Sequence, residues 1–418
     1  MVTNVIDEFD IRNIEGDTVD EEVHYRKPKL FLVFIYIILT LFLGHNVIRY
    51  LNLNIEGDGV LALSHYLTLP FLLLAYIMNR ELVCFTKAEK YLIYSSLVIM
   101  LFQKIIMDKS AGFSFFLNSI LEPVLLCSFL RMFDFFQQRK LRILLMIFLS
   151  LELLIGLYEY LTGNLVFAVS VDLLKMLTGQ EEMRAYALHG HPLQNSFLVS
   201  LVMGCILASN LKMHIRYAFF FIGYIALFCF NSRAAIYCMG VILMLNLWSD
   251  FAMSRQSAGK KILLIILLPL ALFCLIDFVQ SHNLGTRLSI GMNANDSSSN
   301  ARFVLVDILT RDMSVLDIFI GIPLASSMSF MAKYSLVAIE NSIVNLIMGF
   351  GLIFTIIYCS CFFCIFKSIL TSRLQLYTIL IIMTILLNTN NALQTDCPII
   401  PVAIMALFAF NETKNIKI

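Results

Sequence analysis

At 418 residues the chain is long enough for two or three soluble domains, yet 59% of its residues are apolar and only 14% charged, with a mean hydropathy of +0.83. Soluble domains carry roughly 45–50% apolar and about 25% charged residues, so the composition excludes a soluble fold and points to one polytopic bundle of membrane helices, all-α in class. A net charge of +1 excludes the basic surface that a nucleic-acid partner requires.

The first 28 residues are acidic and polar ahead of any apolar run, the reverse of a cleavable signal peptide, and read as a cytoplasmic tail. Apolar windows of about the length that crosses a ~30 Å hydrocarbon core then predict about twelve helices. They lie near 30–47, 60–78, 91–107, 112–130, 141–160, 193–210, 216–231, 234–248, 262–280, 338–366, 375–389 and 398–411. The transmembrane domain is thus 29–411, and 412–418 forms a second cytoplasmic tail. With both tails inside, 20 of the 30 lysines and arginines fall in cytoplasmic segments, in keeping with the positive-inside rule. Two long loops then face outward, at about 161–192 and 281–339, and loops of that length in a compact bundle are usually functional. They carry Arg184, Arg287, Arg302 and Arg311. Within the second loop, helix caps at 296–300 precede a stripe of Val304, Leu305, Ile308 and Leu309, which predicts an amphipathic helix at the membrane interface. The C-x-x-C of Cys361 and Cys364 lies in continuous hydrocarbon and reads as packing, and no disulfide framework is expected.

Three polar interruptions could carry chemistry. In EEMRAYALHGHPLQNS, Arg184, His189 and His191 crowd one membrane boundary. The arginine suits an anionic ligand and a histidine suits acid–base work, because imidazole titrates near neutral pH; an interfacial polar belt accounts for the same residues without a function. Two histidines are not a metal site, and no third ligand accompanies them. In FNSRAAIYC, Asn231, Ser232 and Arg233 break two apolar runs. An arginine so near the membrane interior must be paired, face a wet cavity or snorkel to the interface. In IENSIVNLIMGFGLI, Glu340 and Asn341 open the tenth helix, where Glu340 serves as a proton acceptor or as a cap favoured by the helix dipole. Glu122 and Glu152 fall inside apolar helices, each to be paired with a base such as Lys104 or held neutral.

In this order and spacing the segments resemble the O-antigen polymerase and O-antigen ligase family of bacterial envelope glycosyltransferases. RAYALHGHP is similar to the family's arginine followed by a His-Pro pair that opens a helix, and FNSRAAIYC to its Ser-Arg-small turn. ARFVLVDILTRDMSVLDIFIGIP resembles its Arg-led helix running to a glycine turn, and ENSIVNLIMGFGLI its polar-Asn helix start with a trailing Gly-Leu. The matched stretches span about 184–353, under half the chain.

The resemblance implies a glycosyltransferase C-like bundle with a large periplasmic loop in the bacterial inner membrane. It also implies an inverting reaction on an undecaprenyl-diphosphate-linked oligosaccharide, without a bound metal or other cofactor. Arg184, Arg233 and Arg302 would neutralise the departing diphosphate, since guanidinium forks match phosphate oxygens and keep their protons. Glu340 is the first expected base and His191 the second, with His189, Asn341, Arg287 and Arg311 as secondary candidates. Glu340-Asn341 stands where the ligase branch typically has His-Asn, which favours a polymerase of O-antigen, capsule or exopolysaccharide, with a chain-length regulator and a flippase as partners beside membrane lipid. Two alternatives stand beside it: a ligase that moves finished polymer to lipid A core, and a polysaccharide or lipid transporter or flippase, which would also need intramembrane charges.

Overall fold

The computed structural model describes residues 28–51, 64–107, 113–167, 184–252, 277–282, 311–322, 333, 341–370, 372–390, 393 and 397–411. Among these residues the chain is all-helical. Helices lie over each apolar window except 262–280, most of which is outside the described residues. Four are long and apolar enough to cross a membrane: Phe113–Leu130, Phe135–Thr162, Arg233–Phe251 and Ser342–Ile369. The chain is therefore a helical membrane protein, in which shorter apolar helices accompany those four.

In chain order the helices are α1 (Phe31–Phe42), α2 (His45–Tyr50), α3 (Ser64–Asn79), α4 (Lys87–Met107) and α5 (Phe113–Phe116), the last passing through a π-helical turn at Leu117–Leu121 into α6 (Glu122–Leu130). After these come α7 (Phe135–Thr162), α8 (Pro192–Leu207), α9 (Met213–Cys229), α10 (Arg233–Ala252), the short α11 (Val315–Ile320), α12 (Ser342–Ile369), α13 (Arg373–Leu387) and α14 (Ile399–Phe410). The centre of the bundle is α8. It is apolar on every side, nearly every residue from Asn195 to Leu207 is buried, and it packs against α7, α9, α10, α13 and α14. A helix apolar all round can be buried all round.

Polar side chains tie the helix ends together. At one end, Arg131 pairs with Glu89, and Arg216 Nη2 meets Asp250 Oδ2 at 2.6 Å while its Nη1 donates to the Leu207 carbonyl at 2.9 Å. The last carbonyls of α14, which have no partner within their own helix, are taken by Gln138 (Phe408 O, 2.7 Å), Arg142 (Ala409 O, 3.0 Å) and Gln375 (Phe410 O, 2.8 Å). A capping box at Asp134 starts α7 at this end, with Gln137 N–H 2.8 Å from Asp134 Oδ1, and left-handed Gly163 (φ 71°) stops the helix at the other.

That opposite end gathers the α1–α2 turn, the end of α7, residues 184–191 and the turn from α9 into α10. The starts of α8 and α12 lie there too. Further along α12, Gly351 breaks the helix (φ 86°, ψ 160°), and Gly321, just after α11, seats itself in the break, with Ile322 N–H donating to the Met348 carbonyl. A β-carbon on Gly351 would lie 2.3 Å from the Phe319 carbonyl oxygen, so only glycine allows α11 this close. Gln103 of α4 adds a bond to the Gly349 carbonyl at 2.7 Å. The glycine turn at Gly321 and the glycine break at Gly351 thus touch.

Candidate functional site

Residues 184–191 form a compact loop between the end of α7 and the start of α8, held from three directions. From α7, Glu159 accepts hydrogen bonds from Tyr186 N–H (2.6 Å) and Ala187 N–H (2.9 Å) through Oε2, and from Val166 N–H (2.9 Å) through Oε1. From the α1–α2 turn, Asn46 Nδ2 donates to the carbonyls of Tyr186 (3.2 Å) and Ala187 (3.0 Å). Gly44 allows that approach, since a β-carbon there would stand 2.2 Å from the Leu188 carbonyl oxygen. From the α9–α10 turn, Ala185 N–H donates to the Cys229 carbonyl at 3.1 Å. That last bond joins the first two polar interruptions of the sequence, since Arg184 adjoins Ala185 and the chain leaving Cys229 reaches Arg233 within one turn.

Arg184 is only 5% exposed, and its Nε and Nη2 have no hydrogen-bond partner. Buried polar groups are nearly always partnered, and a guanidinium more than most, so these two donors are left available to an anionic ligand. Arg233 opens α10 and is partly buried. Asn231 precedes it in a left-handed conformation (φ 54°) that turns α9 sharply into α10. Arg184 and Arg233 therefore share one end of the bundle. Arg302 and Arg287 lie outside the described residues, and so does Glu340.

The two histidines have opposite surroundings. His189 is buried, with Nε2 donating to the Leu41 carbonyl at 3.0 Å and its ring edge-on to Phe148. Burial pushes its pKa down to about 4, so it is neutral across the physiological range and pins α1 to the loop. His191 is exposed and caps α8, its Nδ1 accepting from Leu193 N–H at 3.3 Å. A neutral imidazole that accepts at Nδ1 carries its proton on Nε2. Accepting a substrate proton at Nδ1 would thus require release of the cap.

Asn341 is the N-cap of α12, accepting from Ile343 N–H (3.0 Å) and Val344 N–H (3.1 Å), so the helix begins at Ser342 rather than at 338. Arg311 is exposed in a helical turn, and the rest of the expected interfacial helix lies outside the described residues. Inside the bundle, Glu122 accepts from Thr68 Oγ1 at 3.0 Å, while both oxygens of fully buried Glu152 lack a hydrogen-bond partner. Among the described residues no three His, Cys, Asp or Glu side chains stand close enough to hold a metal ion.

Glu159, Asn195 and Asn46 organise the loop, and none of them stands out in the sequence. Asn195 is fully buried, accepting from His189 N–H at 3.2 Å and donating to the Tyr186 carbonyl. The available signal for Glu159 was a lone carboxylate closing a long apolar run four residues before a glycine, as in EYLTG. No family model matches the chain, and no curated protein matches it.

Proposed function

We propose that the protein is an inverting glycosyltransferase that polymerises undecaprenyl-diphosphate-linked repeat units. In this reading the chain crosses the bacterial inner membrane about twelve times, and the end bearing Arg184 faces the periplasm. The observation that carries the reading is Arg184 itself, a buried guanidinium with two open donors, next to the turn that delivers Arg233. The acceptor hydroxyl attacks the anomeric carbon and forms the new glycosidic bond, while the carbon–oxygen bond to diphosphate breaks and its electron pair leaves with the phosphate. Arg184, Arg233 and Arg302 meet that growing charge, and Glu340 takes the hydroxyl proton. The engagement of His191 Nδ1 as a helix cap favours Glu340 over His191 as that base.

Purified protein in detergent, given lipid-linked repeat units and no ion gradient, should lengthen them. Arg184→Lys should cut that rate at least about tenfold at an unchanged membrane level, because an ammonium cannot reproduce the fork of the guanidinium. Wild-type chain length in that variant would remove Arg184 from the site. A transporter is the second reading, favoured by the buried carboxylates of Glu122 and Glu152 within spanning helices. Lipid-linked substrate crossing proteoliposomes without elongation would select it.

A further inference from the structure

Arg184, whose Nε and Nη2 have no hydrogen-bond partner, leads directly into a backbone that is fastened to the bundle. Among its fastenings, one carboxylate takes two consecutive amides. Glu159 is fully buried in the last turn of α7 and collects three main-chain donors, two of them from Tyr186 and Ala187, the second and third residues after Arg184. The third donor, Val166, lies at the other side of the chain excursion that leaves α7 and returns at Arg184. Left-handed Gly163, whose N–H bonds the Glu159 carbonyl at 2.9 Å, turns the chain so that Val166 reaches the same side chain. Ala187 is itself in the left-handed region (φ 41°), a conformation costly for a residue with a β-carbon that persists only where its surroundings over-determine it.

We infer that Glu159 is a positioning residue that clasps the 184–188 backbone and thereby aims the open donors of Arg184 at the diphosphate. This inference rests on the diphosphate reading of Arg184. The choice of a carboxylate is informative. An amide has one accepting oxygen, and its NH₂ would face an N–H, so glutamine can serve Tyr186 and Ala187 or Val166 but not both sides. A carboxylate serves both, at the electrostatic cost of a negative charge near an anion site and near the negative end of the α7 dipole. A residue kept there for charge alone would weaken anion binding, whereas one kept for geometry strengthens it.

The test uses the full chain in detergent and inorganic diphosphate as the probe, followed by calorimetric titration. Glu159→Ala should weaken diphosphate binding about tenfold or more, close to the loss in Arg184→Ala, as expected when a charge-assisted contact is misplaced. Glu159→Gln, which keeps the volume and half of the clasp, should fold and bind diphosphate more weakly than wild type despite having lost a negative charge. In hydrogen exchange, amides 185–188 should lose protection in the alanine variant and either that arm or Val166 in the glutamine variant. Unchanged or tighter diphosphate binding in Glu159→Gln, with wild type binding normally, overturns the positioning role and leaves the diphosphate reading standing. Failure of wild type to bind diphosphate overturns both.

Discussion

His189 shows how a side chain's type is legible in sequence while its surroundings are not. A histidine next to an arginine at a membrane boundary invites acid–base chemistry, yet its ring lies between Phe148 and the end of α1, with Nε2 committed to the Leu41 carbonyl. The consequence for stability has a definite sign. The folded pKa of about 4 is below the ordinary 6.5, so as pH falls the unfolded chain takes the proton first. The contribution is full above pH 6.5 and is lost progressively down to about 4, amounting to roughly 3 kcal/mol across that window. Melting temperatures in detergent should therefore fall more steeply between pH 7 and pH 5 for wild type than for His189→Gln, which can still donate to Leu41. Parallel slopes would assign the acid sensitivity to another group.

The break in α12 belongs to the next scale. GFG within an apolar run is legible as a weak point in a helix, but what fills it comes from a segment thirty residues earlier and could not be read from local pattern. Gly351 and Gly163 both have positive φ, and they separate two costs. A β-carbon on Gly163 meets nothing within 4 Å, so Gly163→Ala costs only backbone strain, about 1 kcal/mol. Gly351→Ala adds a collision with the Phe319 carbonyl and should cost about 2 kcal/mol more, either by straightening α12 or by expelling α11. Limited proteolysis within 311–322 should rise sharply in Gly351→Ala and not in Gly163→Ala. Equal digestion of the two would mean that α11 is not held by the break.

Among the described residues, hydropathy anticipated a helix in each apolar window that the structure covers, because apolarity is a property of single segments. It did not show that α8 is the hub, since an apolar helix reads alike whether lipid or protein surrounds it. The site was legible in the same uneven way. Arg184 and Arg233 were visible as charges out of place, whereas Glu159 and Asn195 work through main-chain atoms that leave no trace in residue pattern. One global property is shared by sequence and fold. Lys29, Arg80, Lys87, Arg139, Lys140, Arg142, Lys212 and Arg373 all lie within about two turns of the helix ends opposite Arg184. On a cysteine-free background, Asn164→Cys should react with an impermeant thiol reagent in intact spheroplasts and Arg139→Cys should not, both positions being exposed. The reverse pattern would turn the molecule over in the membrane.

The contacts of Asn46 set an order of events during biosynthesis. Its carbonyl partners at Tyr186 and Ala187 emerge from the ribosome 140 and 141 residues later, roughly 7 to 28 s at ordinary elongation rates. The Cys229 carbonyl that receives Ala185 arrives later still. Throughout that interval the Asn46 amide lacks the loop carbonyls it later binds. The loop at residues 184–191 is therefore closed only once α9 has been threaded, and a ribosome stalled before that point leaves a bundle with several of its helices in place and that loop unfastened.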